Sequence, residues 1–231
     1  MVVSLTVSTP AQVSAAAKRY TLARAYKNTV QEKHMSKLKR ALVKSLYPTQ
    51  LTVGMLEVEV KRNNLMKLSA DAREAFLETH PMPAVIGPDL RLYITDHHHL
   101  ARAALEARVK EACFSVEADF SALRPKKFWA EMEKRSWVHP LDENGVRHTY
   151  HHLPGNLKKL ADDVYRSLAG FVRDAGGYRK TDAAFVEFIW ADFFRRNIAI
   201  EDVTADFRTA VRRAKRLAQS PLAKRIPGFT G

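Results

Sequence analysis

The chain has 231 residues, 46% of them hydrophobic, with a formal net charge of +13, nine histidines and a single cysteine. That length supports one core of ordinary size with extensions. The lone Cys113 excludes a disulfide framework and fits a reducing compartment such as the cytoplasm, and no apolar run approaches the roughly 18 residues of a membrane span. The charge sits at the ends: residues 1–50 hold nine Lys/Arg against Glu32, and residues 207–231 hold seven and no acid. Two basic ends around a nearly neutral body suit contact with an anionic backbone, or simply keep the protein soluble. The first 31 residues carry no acid and faintly resemble a transit peptide, but an apolar signal-peptide centre is missing, so an ordinary cytoplasmic N-terminus is expected.

In chain order, Ala15 to Leu46 reads as a polar, basic helix or arm, ended at Tyr47 because the residue before Pro48 is pushed out of helical geometry. Met55 to Lys61 alternates apolar and charged side chains, the period of a half-buried strand. Ser69 is an N-cap for a helix through Glu78. Pro83–Ile86, a Gly87-Pro88-Asp89 turn and Leu90–Ile94 form a hairpin that feeds Asp96-His97-His98-His99, where a helix to about Lys110 begins. Ala112–Ala118 returns as a strand. Pro125 opens a helix carrying Phe128, Trp129 and Met132, and Asn144-Gly145 marks a turn. A 3.6-residue stripe from Leu157 through Leu160, Val164, Leu168 and Val172 predicts one helix ending at Gly176-Gly177. A helix with Phe185, Phe188, Ile189 and Phe193 follows, then a last one from about Val203 to Ala218.

Several of these segments, in this order, resemble the ParB/sulfiredoxin-like superfamily, and within it the ParB-like nuclease family with an Asp-His-His-His motif. The segments are Leu51-Thr52-Val53-Gly54 with Glu57 and Lys61; Ile86-Gly87-Pro88 with Leu92 to His99; Ala118 to Ser121 with Phe128-Trp129; Leu153-Pro154; Asp162 to Ala169; Gly176-Gly177-Tyr178; and Phe188 to Phe193. The resemblance spans roughly residues 50–195 and implies an α+β fold. A small ParB/sulfiredoxin-like core at 50–120 would be followed by a mainly helical region at 121–202, with a basic N-terminal extension at 1–49 and a basic C-terminal helix and tail at 203–231. It also implies that the strand-to-helix junction binds the phosphate of a nucleotide or nucleic acid. A helix N-terminus favours an anion for its own physical reasons, having unpaired N–H groups and the positive dipole end.

The junction departs from its relatives. Partitioning proteins read Gly-Glu-Arg-Arg there and sulfiredoxins Gly-Cys-His-Arg, whereas this chain has Asp96-His97-His98-His99. His97 stands at the sulfiredoxin thiol position, which removes that redox chemistry, and neither a helix-turn-helix nor a dimerisation region argues for a segregation protein. Asp96 and His99 weaken the inherited phosphate grip, which Arg102 one turn on would restore. The phosphate-binding set is therefore Asp96, His98, His99, Arg102 and Lys61. An imidazole can move protons near neutral pH, so His97 and His98 are catalytic candidates, and Glu57 joins them because the resemblance implies that it lies beside Lys61 at the edge of the same site.

Asp96, His97 and His99 could hold a divalent metal, but adjacent side chains diverge, and other ligands (His151, His152, Asp162 or Asp163) would be needed. Arg166 and Arg173 either extend an anion site or cover the amphipathic helix, and the second reading is preferred. Trp129, Trp137 and Trp190 are expected as core anchors, and Asp192 as a partner of Arg195 or Arg196. Three functions fit: a nuclease-type domain that binds a phosphoester, with or without cleaving it, and takes ATP or CTP and a divalent metal as cofactors; a nucleotide-dependent small-molecule phosphotransferase; or a non-catalytic nucleic-acid-binding module whose basic ends carry the affinity.

Overall fold

A computed structural model describes residues 38–231 of the chain, and residues 39–231 form one unit. Most of the arm expected at 15–46 lies outside the described residues. Where it enters them it is extended rather than helical: β1 (Leu38–Leu42), a short 3-10 turn and β2 (Leu46–Pro48). The pattern then runs β3 (Thr52–Val53), α1 (Met55–Lys67), α2 (Ala70–Thr79), β4 (Met82–Ile86), β5 (Leu92–Ile94), α3 (His98–Glu106), β6 (Glu111–Asp119) and α4 (Pro125–Lys134). It finishes with β7 (Ala161–Asp162), α5 (Val164–Asp174), α6 (Val186–Asn197), α7 (Ile200–Ala205) and α8 (Phe207–Ala218). This is the mixed α+β class that the resemblance implies. Among the described residues no helix is long and apolar enough to cross a membrane.

The main sheet has the order β1-β6-β4-β5-β2, with β4 and β5 antiparallel, and β4–β6 and β2–β5 parallel. The expected hairpin is β4–β5. Its turn places Asp89 and Leu90 at φ 58° and 56°, and the Gly87 N–H donates to the Arg91 carbonyl at 2.8 Å. Side-chain alternation sends Ala84 and Ile94 into a core shared with α1, α2 and α3, and Val85 and Tyr93 into a second with Phe128 and Met132 of α4. Trp129 and Trp137 pack against that second core.

Three expected elements come out differently. Residues 55–61 are the start of α1, not a strand. The apparent alternation is short, while good helix formers occupy nine of the thirteen residues and Val58 and Leu65 are buried two turns apart. The stripe from Leu157 is not one helix. Leu157 and Leu160 enter the sheet core from a 3-10 turn, residues 161–162 pair with β3, and α5 starts only after Asp163, whose Oδ1 accepts the Tyr165 N–H at 3.0 Å. The last helix breaks at Asp206, which ends α7 and caps α8 by accepting the Thr209 N–H at 3.0 Å.

Several local expectations hold, although α3 stops at Glu106, short of the expected Lys110, and Phe185 precedes α6 instead of lying in it. Ser69 caps α2, and Gly176 at φ 76° follows the end of α5. Trp190 is fully buried against Tyr178, with ring centroids 4.3 Å apart. α5 is buried along nearly its whole length because it lies against α1, α6 and α8, and it joins the sheet half to a helical core of α5–α8.

Candidate functional site

The site is built where α3, α1, α5 and α6 meet. α3 is drawn inward by Leu100, Ala101, Ala103 and Ala104, and His98 and His99 go with it, at 5% and 7% exposure. The His98 Nε2 accepts the Thr49 N–H at 3.0 Å, and Thr49 Oγ1 donates to the Ile94 carbonyl at 2.8 Å. The His99 Nε2 accepts the Gly54 N–H at 3.0 Å. Each ring is therefore a neutral acceptor that joins α3 to the chain ahead of α1. Burial holds both imidazoles well below their ordinary pKa, and the Arg166 charge pushes the same way. Neither can take a proton at Nε2 without releasing its amide.

His97 precedes α3 in the left-handed region, at φ 61° and ψ 26°, a conformation uncommon without glycine. Its N–H donates to Asp96 Oδ1 at 2.6 Å, and its buried Nδ1 has no partner. Burial lowers its pKa, with Asp96 opposing and Lys180, His80 and Lys61 adding to the shift. α3 has no side-chain N-cap.

Glu57 lies in the first turn of α1 at 7% exposure. Its Oε1 is 3.3 Å from Lys61 Nζ; its Oε2 is 3.7 Å from His99 Nε2 and has no hydrogen-bond partner. Gly170 of α5 makes room for it, since a Cβ there would stand 2.5 Å from Oε2. Gly54 likewise permits close approach at the start of α1, where a Cβ would meet the Ser167 backbone nitrogen at 2.4 Å. The α1 N-terminus itself is filled, Asp162 Oδ1 accepting from the Met55 N–H and Ser167 Oγ from the Leu56 N–H.

Arg166 is the residue for which the structure reverses the preferred surface reading. It is no surface cover: it is 4% exposed, its guanidinium lies 3.5 Å from the Phe188 ring centroid, and its Nε and Nη1 have no partner. The nearest carboxylate, Glu187 Oε2, is 3.9 Å from Nη2, and Glu187 is itself paired through Oε1 with Arg173, which also contacts Asp174. Burial lowers the Arg166 pKa to about 10, with Asp163 and Glu57 opposing, so it stays cationic at neutral pH. A partial signal lay in the sequence. Arg166 interrupts the apolar run of a helix otherwise buried all round, so its charge had to go inward.

Other expected residues are elsewhere. The Arg102 Nε donates to Glu106 Oε1 at 2.8 Å, and its Nη1 to the carbonyls of Leu157, Lys158 and Leu160 at 2.9, 2.7 and 3.4 Å. Its guanidinium ties α3 to that turn. Asp163 pairs with Arg195 at 2.6 Å, and Asp192 pairs with Arg195 as expected. His151 and His152 are exposed, and His152 Nδ1 lies 3.1 Å from Thr149 Oγ1.

Among the described residues the set whose ligand atoms lie within 4.8 Å of one another is Glu57, His99 and Glu187. Of the expected trio only His99 belongs to it, because the side chains at 96, 97 and 99 leave the backbone in different directions. Even this set does not fit a divalent cation. His99 Nε2 already accepts an amide, Glu187 is held by Arg173, and Lys61, Arg166 and Arg173 place three positive charges beside two glutamates. The cluster carries one more positive than negative charge.

A mixed sheet whose central hairpin leads into a histidine-rich helix start, backed by a buried arginine, defines a ParB-like α+β domain. The chain belongs to the family described as "Putative ParB-like nuclease", whose sequence model matches residues 39–196. That match takes in β1 and β2, ahead of the resembling segments. The chain is also similar to protein Atu1540 from Agrobacterium tumefaciens, whose crystal structure superposes with a TM-score of 0.79 at 40% identity, covering 84% of this chain and 96% of that one. No curated protein matches this chain.

Proposed function

We propose that the chain binds the phosphate of a nucleotide or nucleic acid between the Asp96–His99 junction and the Arg166–Lys61–Arg173 cluster, and cleaves a phosphoester there. The observation that carries this reading is Arg166, a buried guanidinium with two nitrogens unpaired. An unpaired buried cation is costly, and a planar fork of N–H donors matches phosphate oxygens. Lys61 adds a point charge from a position 37% exposed. The uncapped start of α3 adds backbone N–H groups beside them.

In the proposed hydrolysis, Glu57 Oε2 takes a proton from water as the water oxygen bonds to phosphorus. The phosphorus–oxygen bond to the leaving group breaks, and that oxygen takes a proton from solvent. Arg166 and Lys61 offset the charge that grows on the phosphoryl oxygens. His97, the junction imidazole with an uncommitted nitrogen, is the second group for proton transfer. His98 and His99 serve as struts. The family's nuclease description supports placing this reaction on nucleic acid or nucleotide, and a chain with a single cysteine suits the cytoplasm.

Calorimetric titration with ATP, CTP and a short single-stranded DNA, with product analysis, tests it. ATP and CTP binding should vanish in Arg166→Met and weaken in Lys61→Met, whereas Glu57→Gln should bind nucleotide and DNA and turn over neither. A folded Arg166→Met protein that binds these nucleotides like the parent overturns the reading.

A further inference from the structure

α8 packs by Ala210, Ala214 and Ala218, each no more than 2% exposed, so its backbone comes close to α5 and its opposite face is turned outward. That face carries Arg208, Arg212, Arg213 and Arg216 exposed and Lys215 half-buried. Lys224 and Arg225 follow in the tail, and residues 207–231 contain no acid. Arg213 pairs with Asp202 at 2.7 Å, and Arg212 donates to Thr209 Oγ1 at 2.6 Å. Among the described residues, Arg208, Lys215, Arg216, Lys224 and Arg225 have no ion pair within 4.0 Å.

These cations are fixed in place. The Trp190 Nε1–H donates to the Pro227 carbonyl at 2.9 Å, the Arg179 N–H to the Gly228 carbonyl at 2.8 Å, and Ala223 is fully buried. The C-terminal segment thus belongs to the helical core and is no free arm. Between α8 and the turn at Pro221–Ala223 lies an open groove of ≈ 570 Å³, lined by Asn197, Arg213, Arg216, Ser220 and Leu222 among others.

We infer that this face is a docking surface for the phosphate backbone of a nucleic acid, separate from the proposed Arg166 site. Arg208, Arg212 and Arg216 recur every four residues, about 6 Å apart along the helix, which makes a row of forked donors suited to successive phosphates. Such contacts carry affinity without reading sequence. A membrane surface fits less well. An interfacial helix buries a broad apolar face in lipid, and the apolar face of α8 is already used against α5, leaving Leu222 and Ile200 as the exposed apolar side chains nearby in sequence.

The test is anisotropy of a labelled short duplex DNA over a salt series, using the full chain, the triple variant Arg208→Gln/Arg212→Gln/Arg216→Gln, and Arg166→Met. The triple variant should keep the parental melting temperature and bind at least tenfold more weakly at low salt. Its slope of log K against log salt should be shallower by about 2.7, roughly 0.9 for each phosphate that is no longer neutralised. Arg166→Met should retain duplex binding whether or not the proposed site turns over. An unchanged slope in the triple variant overturns the inference. So does duplex binding abolished only in Arg166→Met, or a parent that binds phosphatidylserine vesicles or polyglutamate but not duplex.

Discussion

The Glu57 carboxylate stands against the backbone of Gly170, with Oε2 2.5 Å from the point a Cβ there would occupy. Gly170→Ala should therefore push Glu57 toward Lys61 and lower turnover, at a cost of about 1–2 kcal/mol in stability, because a flexible carboxylate can shift. Gly54→Ala meets the Ser167 backbone nitrogen instead, which cannot give way, and should cost about 3 kcal/mol. Urea denaturation of the two variants gives the ranking, and equal losses would contradict it.

On the proposed reading Arg166 serves binding rather than stability. Its carboxylate neighbours have other cationic partners, Asp163 with Arg195, Glu187 with Arg173 and Glu57 with Lys61, so removing the guanidinium leaves each acid with a countercharge. Arg166→Met should hold or raise the melting temperature, since a desolvated cation is exchanged for an apolar side chain. A fall of several degrees in differential scanning calorimetry would instead make Arg166 a structural ion-pair member.

Arg102 should behave in the opposite way. Its Nη1 holds three carbonyls of the 157–160 turn, part-buried or exposed, so Arg102→Met should cost about 1–2 kcal/mol by removing those bonds. Ligand affinity at pH 7 should be unchanged. A selective loss of phosphate binding with intact stability would return Arg102 to the binding set.

Acid should unfold this protein early. His98 and His99 have folded pKa values well below the ordinary 6.5, chiefly through burial, and His139, packed against Phe188, is lowered by burial to about 3. The unfolded chain binds these protons first. The stability each ring contributes is complete above about pH 6.5 and drains away as pH falls toward the folded value, at up to about 1.4 kcal/mol per pH unit for each ring. Guanidinium denaturation at pH 7.5 and 5.5 should reveal that slope, and His139→Phe should flatten it by about one ring's share.

The sequence by itself determined the β4–β5 hairpin, the Ser69 cap, the Gly176 stop and the place of Asp96–His99 at a strand-to-helix junction. These follow from local turn, capping and periodicity rules that act within a few residues. It also supplied the family motifs in their order. It did not determine that α1 is a helix, since short apolar alternation there is equally compatible with a strand until its burial against α3 and α5 is known. Nor could it tell which histidines are committed. Only the tertiary structure brings Thr49 and Gly54, almost fifty residues away, to His98 and His99 as amide donors, and spends Arg102 on the 157–160 turn. It likewise turns Arg166 inward to face Glu57 and Glu187. Which polar group keeps a free hydrogen-bonding atom depends on every partner the fold brings near it, and those partners lie on segments that no local pattern connects.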